Sequence, residues 1–478
     1  MAPKPTLEQG TIIDTFVPGD KNLVVEAGAG CGKTSVLKMA ARAVPKRKGL
    51  YIAYNKAIQV EAAKSFPDSV TCKTSHGLAF GAVGRQYAHR LKAPRMKSED
   101  VAKLLKINDP IYAPNALIPP AHVARIVMST VATFTRSART NILHQPVPRI
   151  PGLDDPDTMQ TLAAEIPLLA AKAWEDIRDP RGRLPFSHDC YLKMWCLSGP
   201  QLTKYDYILL DEAQDSNPPV AKMVEAQRHA QLVLVGDPSQ SIYGWRGAED
   251  AMSKFNGVRL TLSQSFRFGE VVAEEANLWL GYLNAPLRLR GFEQINSRLA
   301  TLTEPDAILC RTNGTAIAQV MEQLNAGRRV SLVGGGDQIR KLAEAAMQLK
   351  DGRGCSHPEL FAFKTWAELQ EYIEEDEGSD LRPFVNLIDA HGADVVLNTV
   401  SRLVPSDRAD VEISTAHKAK GREWRRVKVA DDFPEPKPTD DDKPGRISRP
   451  DAMLAYVTVT RAQYELDNTG LNWIRHYL

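Results

Sequence analysis

Three short stretches hold the residue types needed to hydrolyse a nucleoside triphosphate. In AGAGCGKT, residues Ala27, Gly28, Ala29, Gly30, Cys31, Gly32, Lys33 and Thr34 follow a β-type run and precede a helical pattern. Small side chains let the backbone curl so that successive N–H groups face inward, and the following helix adds the positive end of its dipole. Lys33 would then reach the β and γ phosphates, and the Thr34 hydroxyl would sit on Mg²⁺. The first glycine of the usual GxxxxGK[ST] pattern is Ala27 here, and a phosphate loop alone leaves kinase, GTPase, transporter ATPase and helicase open. In LLDEAQD, Asp211 would hold Mg²⁺, usually through water, while Glu212 would orient or deprotonate the attacking water. A water-activating carboxylate points to hydrolysis rather than transfer to a bound acceptor. In VGDPSQ, Gln240 stands close enough to Asp237 and the end of its strand to sense a γ phosphate.

Other stretches offer nucleic-acid chemistry. Tyr243, Trp245 and Arg246 join two aromatic rings and a cation in a turn punctuated by Gly244 and Gly247, where stacking would contribute about 1–3 kcal/mol per base. Thr74, Ser75 and His76 end a short strand and could meet a phosphodiester, although a lone histidine is as often a structural group. In GRQYAHRLKAPRMK, the cations Arg85, Arg90, Lys92, Arg95 and Lys97 interleave with Tyr87 and His89, a pattern of either a nucleic-acid face or a solvated one. Gln9 precedes an apolar-periodic segment and by itself reads as a surface polar residue.

The elements that must position these residues alternate in type. Asn22 to Glu26 reads as a strand, Lys33 to Val44 as a helix, GLYIAYN as a strand and Lys56 to Phe66 as a helix, which is the βαβ order of a parallel sheet. From about 81 to 196 that pattern stops and a mostly helical stretch with Pro-rich breaks suggests an inserted domain. It returns with the apolar strands before Asp211 and Asp237. AILCRTNG and RRVSLVGGG predict strands of a second parallel sheet, 337–410 is helical and irregular, and the acidic, Pro-rich 434–444 reads as a solvated loop.

Composition sets the bounds. A chain of 478 residues has room for about three domains, and 43% hydrophobic with 25% charged residues is ordinary for a globular protein. A net charge of +2 means that any polyanion must be met by locally arranged Lys and Arg. The six cysteines form no CxxC pair, which argues against a zinc ribbon or iron–sulfur cluster and for reduced thiols in a cytoplasmic protein, cellular or viral. The N-terminus has no apolar signal core, and no run approaches the roughly 18 apolar residues of a membrane span.

The order AGAGCGKT, TSHGLAF, LLDEAQD, VGDPSQSIYGWRGA, SQSFRFG, HKAKGREW and VTVTRAQ resembles the UvrD/Rep/PcrA family of superfamily 1 DNA helicases. DEAQDSNP, SQSFRFG and HKAKGREW lean toward its F-box DNA helicase branch, here without an F-box before Gln9. The resemblance implies an α/β fold of two RecA-like P-loop parallel-sheet domains with mainly helical inserted subdomains. The ATP-binding core would comprise 1–80 and 197–264, the second core 265–336 and 411–478, with insertions at 81–196 and 337–410. The latter is much smaller than the family's usual counterpart. It also implies that Arg267 and Arg461 are arginine fingers on the γ phosphate, that Phe266 stacks on adenine, and that Gly421 and Glu423 lie at the nucleotide, Glu423 facing its sugar. Family members often carry Arg after GKT where this chain has Ser35, which shifts adenine selectivity toward Phe266 and Gln9. Arg311, Asn313, Thr415 and His417 take family positions near the DNA.

The expected activity is an ATP- and Mg²⁺-dependent DNA helicase or translocase that moves 3′ to 5′ on single-stranded DNA. Its expected partners are single-stranded DNA, single-strand/duplex junctions, and replication or recombination proteins, with no membrane and the chain a monomer. Two other readings remain: a nucleotide-gated DNA clamp that remodels protein–DNA filaments without processive unwinding, and a small-molecule P-loop kinase, against which the paired fingers argue.

Overall fold

Long apolar runs bounded by polar turns dictate central strands buried on both faces, and the computed structural model contains two sheets of them. It describes residues 4–94, 96–242, 251–374, 381–438 and 444–477. The backbone divides into two compact units, Met1–Ala27 with Gly32–Leu262, and Gly28–Cys31 with Ser263–Leu478.

The first unit holds β1 (Leu23–Ala27), β2 (Gly49–Ala53), β3 (Val70–Thr74), the short hairpin β4 (Ile111–Ala113) and β5 (Ala116–Ile118), β6 (Tyr207–Asp211), β7 (Gln231–Gly236) and β8 (Val258–Leu262). Six of these form a sheet in the order β3-β2-β6-β7-β1-β8, parallel throughout. Every residue of β2, β6 and β7 is buried, whereas the edge strands β3 and β8 alternate, as expected when only central strands are covered on both faces. A parallel sheet places all its carboxyl ends on one edge, so the segments after β1, β6 and β7 emerge together.

The segment from 81 to 196 adds the helices Pro120–Arg136, Pro156–Arg178 and His188–Leu197. The last of these is not a detached appendage, because Tyr191, Leu192 and Trp195 share an apolar cluster with Leu50, Ile208 and Leu210 of the sheet. The basic segment that precedes them departs from the sequence expectation. Arg90 and Tyr87 are buried rather than presented to a polyanion. The Arg90 guanidinium donates to the carbonyls of Asp176, Ile177, Asp179 and Leu184 at 2.7–3.2 Å, and Tyr87 donates to the Arg178 carbonyl while stacking on Phe186. A long helix ends with unpaired carbonyls, and a guanidinium with five N–H groups is well suited to collect them. Arg85, His89, Lys92 and Lys97 remain exposed, while Arg95 lies outside the described residues.

The second unit holds β9 (Arg298–Leu299), β10 (Ala307–Cys310), β11 (Val330–Leu332), β12 (Val411–Thr415), β13 (Trp424–Val429) and β14 (Ala462–Asp467). They form a second parallel sheet in the order β11-β12-β10-β13-β14-β9. Among the described residues, 337–410 includes the α-helices Asp337–Lys350, Trp366–Tyr372, Arg382–His391 and Ala393–Ser401. Their buried Ile339, Trp366, Phe384 and Val396 belong to the same apolar cluster as Ile308, Val330 and Ile413 of the sheet. This segment is therefore built into the core of the second unit.

Candidate nucleotide and nucleic-acid sites

The phosphate loop is shaped by two glycines. Gly30 and Gly32 have φ of +74° and +75°, a region costly for any residue with a Cβ, and Gly32 caps the helix Lys33–Ala43. The stretch Gly28–Cys31 groups with the second unit, where the Ala29 carbonyl accepts from Ser265 Oγ at 2.9 Å and the Gly30 carbonyl from the Phe266 N–H at 2.9 Å.

In the first unit, the residues picked out by spacing meet at the end of β6. Asp211 Oδ2 accepts from Thr34 Oγ1 at 2.9 Å and from Tyr51 Oη at 2.6 Å, while Asp211 Oδ1 accepts from the Glu212 N–H at 3.0 Å. Glu212 takes a left-handed backbone, φ +49°, immediately beyond the strand. That conformation is uncommon for a residue with a side chain and is typical of strained functional positions. The Glu212 carboxylate lies 3.7 Å from Lys33 Nζ and accepts from Gln214 Nε2 at 2.8 Å.

Burial, and then the neighbouring Glu212 charge, push the Asp211 carboxyl above its ordinary range; the hydroxyls of Tyr51 and Thr34 and the Lys33 ammonium pull the other way. Burial and the adjacent Asp211 also hold the Tyr51 phenol far above its usual value, so Tyr51 is a standing proton donor. Gln240 is buried and donates to Asp237 Oδ2 at 2.6 Å, and the Asp237 N–H donates to the fully buried Gln214. Gln214 thus links Glu212 to the Asp237–Gln240 turn. Among the described residues, no group of three or more His, Cys, Asp or Glu could hold a metal. A hydroxyl and a carboxylate beside a phosphate loop nevertheless form the hard oxygen set that Mg²⁺ accepts together with a nucleotide.

Two residues assigned to ligands have local structural work. Gln9 is buried, and its Oε1 accepts from the Thr6 N–H while Thr6 Oγ1 accepts from the Gln9 N–H, a capping box at the helix Leu7–Phe16. The T-x-x-Q spacing is the sequence signal for this arrangement. Thr74 Oγ1 accepts from the Gly77 N–H and caps the helix Ser75–Ala82. Ser35 is exposed.

His76 lines a cavity of about 310 Å³ together with Ser75, Arg136, Asp189, Asp211 and Asn217. His76 Nε2 lies 3.0 Å from Asp189 Oδ1, and because an ionised carboxylate only accepts, the ring nitrogen is the donor. That bond, reinforced by the nearby Arg136 charge, holds Asp189 below the usual carboxylate range against the opposing effect of burial. Tyr243, Trp245 and Arg246 lie outside the described residues.

In the second unit the predicted nucleotide-facing residues bond to one another or to the backbone. Arg267 Nε lies 2.5 Å from Glu423 Oε2, its Nη1 donates to the Thr460 carbonyl at 3.2 Å, and Glu423 Oε1 accepts from Gln463. Arg461, fully buried, donates to the Val457 carbonyl at 2.7 Å, the Arg422 carbonyl at 3.1 Å and Thr460 Oγ1 at 2.8 Å. Phe266 is 40% exposed, its ring edge-on to Phe292, and Gly421 has φ +83°. Arg311 pairs with Asp451 at 3.3 Å, and its N–H donates to Asp432. Asn313 opens the helix Asn313–Asn325, Thr415 is buried at the end of β12, and His417 lies in the short helix Ala416–Ala419.

Comparison with known proteins adds sequence relatives. A family model described as the UvrD/REP helicase N-terminal domain matches residues 200–256. The chain is 30% identical to F-box DNA helicase protein 1 of Schizosaccharomyces pombe, over 96% of this chain and 57% of that protein. It is 27% identical to F-box DNA helicase 1 of Gallus gallus, over 96% and 48% respectively. It is 25% identical to DNA helicase IV of Escherichia coli, over 63% and 52%. The chain therefore spans about half the length of these curated relatives.

Proposed function

We propose that the chain, which is similar to F-box DNA helicases and matches the UvrD/REP helicase N-terminal domain, is a UvrD/Rep/PcrA-like superfamily 1 ATP-dependent DNA helicase of the F-box DNA helicase branch that moves 3′ to 5′ on single-stranded DNA. The observation that carries this reading is the junction at Asp211: one carboxylate oxygen takes both the Thr34 and Tyr51 hydroxyls, beside the Lys33–Glu212 pair. Thr34 and Asp211 would hold Mg²⁺, whose charge would offset that developing on the transferred phosphoryl group. Lys33 would leave Glu212 for the β and γ phosphates, freeing that carboxylate to position water and accept its proton. Gln214 would keep Glu212 aimed during that exchange.

In this reading 1–80 and 197–264 form the ATP-binding core, 265–336 and 411–478 the second core, and 81–196 and 337–410 their additions. Arg267 would exchange Glu423 for the γ phosphate, with Arg461 as the second finger. Phe266 and Gln9 would flank the adenine, while Gly421 and Glu423 would line the sugar. Thr74, His76, Arg311, Asn313, Thr415 and His417 would follow the DNA strand, with Tyr243, Trp245 and Arg246 supplying stacking.

Glu212→Gln tests the assignment. Turnover should fall about 10²–10⁴-fold while ATP and single-stranded DNA still bind; normal turnover removes Glu212 from its role. Strand displacement measured beside removal of a protein filament separates a helicase from a clamp, which would fail the first assay and pass the second.

A further inference from the structure

In the sequence Tyr51 is one residue of an apolar strand, yet in the fold its hydroxyl meets the carboxylate at the centre of the candidate metal site. The ring is fully buried and packs on Phe66 with centroids 4.7 Å apart. It lies on β2, which pairs with β6 in the register Tyr51↔Leu209, so its tip lies level with the end of β6. A buried tyrosine hydroxyl usually finds a hydrogen-bond partner. Here Oη donates to Asp211 Oδ2 at 2.6 Å, the oxygen that Thr34 also uses.

We propose that Tyr51 is a positioning residue for the metal–nucleotide site, holding Asp211 in the orientation that receives Mg²⁺ bound with ATP. This deepens the ATPase reading above and rests on it. When the Thr34 oxygen turns to a metal, its proton can still point at Asp211, but its position then follows the ligand. Tyr51 belongs to the sheet and does not move with the nucleotide. With Glu212 N–H fixing Oδ1 at 3.0 Å and Tyr51 fixing Oδ2, both oxygens of the carboxylate are set before any ligand arrives. Without the phenol, Oδ2 keeps only the Thr34 hydroxyl, so the carboxylate is held by the Glu212 N–H and a hydroxyl that follows the ligand. Hydrogen-bond partners standing behind metal ligands typically govern metal affinity by about 10–100-fold.

The test is Tyr51→Phe in the full chain, which keeps the ring and its packing. A fluorescent ATP analogue is titrated with and without Mg²⁺, and Mn²⁺ binding in the presence of nucleotide is followed by electron paramagnetic resonance. The expected result is a roughly tenfold loss in metal-linked affinity, with metal-free nucleotide binding unchanged. In steady-state assays the Mg²⁺ concentration for half-maximal turnover should rise more than the rate at saturating Mg²⁺ falls. Unchanged metal-linked affinity overturns the proposal. So does an equal loss of metal-free and metal-linked binding, which would make Tyr51 a packing residue. If the wild-type chain shows no metal-linked nucleotide binding at all, the ATPase reading fails first and the role of Tyr51 falls with it.

Discussion

The two units treat their charged residues in opposite ways. In the first, the side chains of Lys33, Thr34, Tyr51, Asp211 and Glu212 lie within bonding distance of one another, so the fold of that unit gathers them. In the second, the two arginines of the nucleotide reading are held elsewhere. Arg267 is tied to Glu423 by a partly exposed ion pair, and Arg461 is buried against two carbonyls and a hydroxyl. A pair whose carboxylate is 44% exposed is more easily exchanged than a fully buried contact. A buried guanidinium with its donors on backbone oxygens is part of the structure, and moving it strands those oxygens. Of the two, Arg267 is held by the bond more easily exchanged, while Arg461, the proposed second finger, is also a structural group.

Substitutions at the two arginines would break that contrast if it is false. Arg267→Ala should lower DNA-stimulated ATP turnover by about 10³–10⁵-fold, yet lower the thermal midpoint less than loss of Arg461 does, because it gives up one ion pair to a partly exposed carboxylate and one backbone carbonyl. A large fall in thermal midpoint would show that Arg267 is structural. Arg461→Ala should instead destabilise the chain by roughly 2–4 kcal/mol, from the stranded carbonyls and the cavity left behind. Denaturant unfolding reads this directly, and wild-type stability with lost turnover would make Arg461 a finger without a structural role.

The smallest effect concerns the first unit. Its His76–Asp189 bond depresses the Asp189 carboxyl, so the folded state binds that proton less readily than the unfolded chain. The stabilisation is fully present above the unfolded value of about 3.9 and is lost as pH falls through the lower folded value. Asp189→Asn should therefore cost about 1 kcal/mol near neutrality, with the gap to wild type closing in strongly acidic buffer. A gap that persists in acid would assign the loss to something other than this carboxylate.

What the sequence revealed follows from how local each interaction is. The phosphate loop is a contiguous run whose glycines enforce its shape, and Asp211 and Glu212 stand at the end of an apolar strand, so pattern alone located them. Tyr51 could not be found that way: it meets Asp211 across neighbouring parallel strands 160 residues apart in sequence, and a tyrosine in an apolar run looks like core. Asp189 is likewise a single acid in a helical stretch, brought to His76 over 113 residues. Arg90 misled in the other direction, because a cation among cations resembles a polyanion-binding face until its carbonyl partners are seen. The capping of Thr74 and Gln9 was readable from spacing, since both bonds span three residues.

The most direct measurement is the rate of ATP hydrolysis with 3′-tailed, 5′-tailed and blunt duplex DNA, with unwinding of each followed in parallel. A 3′-to-5′ translocase whose first unit is a working ATPase should be stimulated by both tailed substrates, through their single strands, and should unwind only the 3′-tailed one. Equal hydrolysis with and without DNA, or unwinding from the 5′ tail alone, would contradict it.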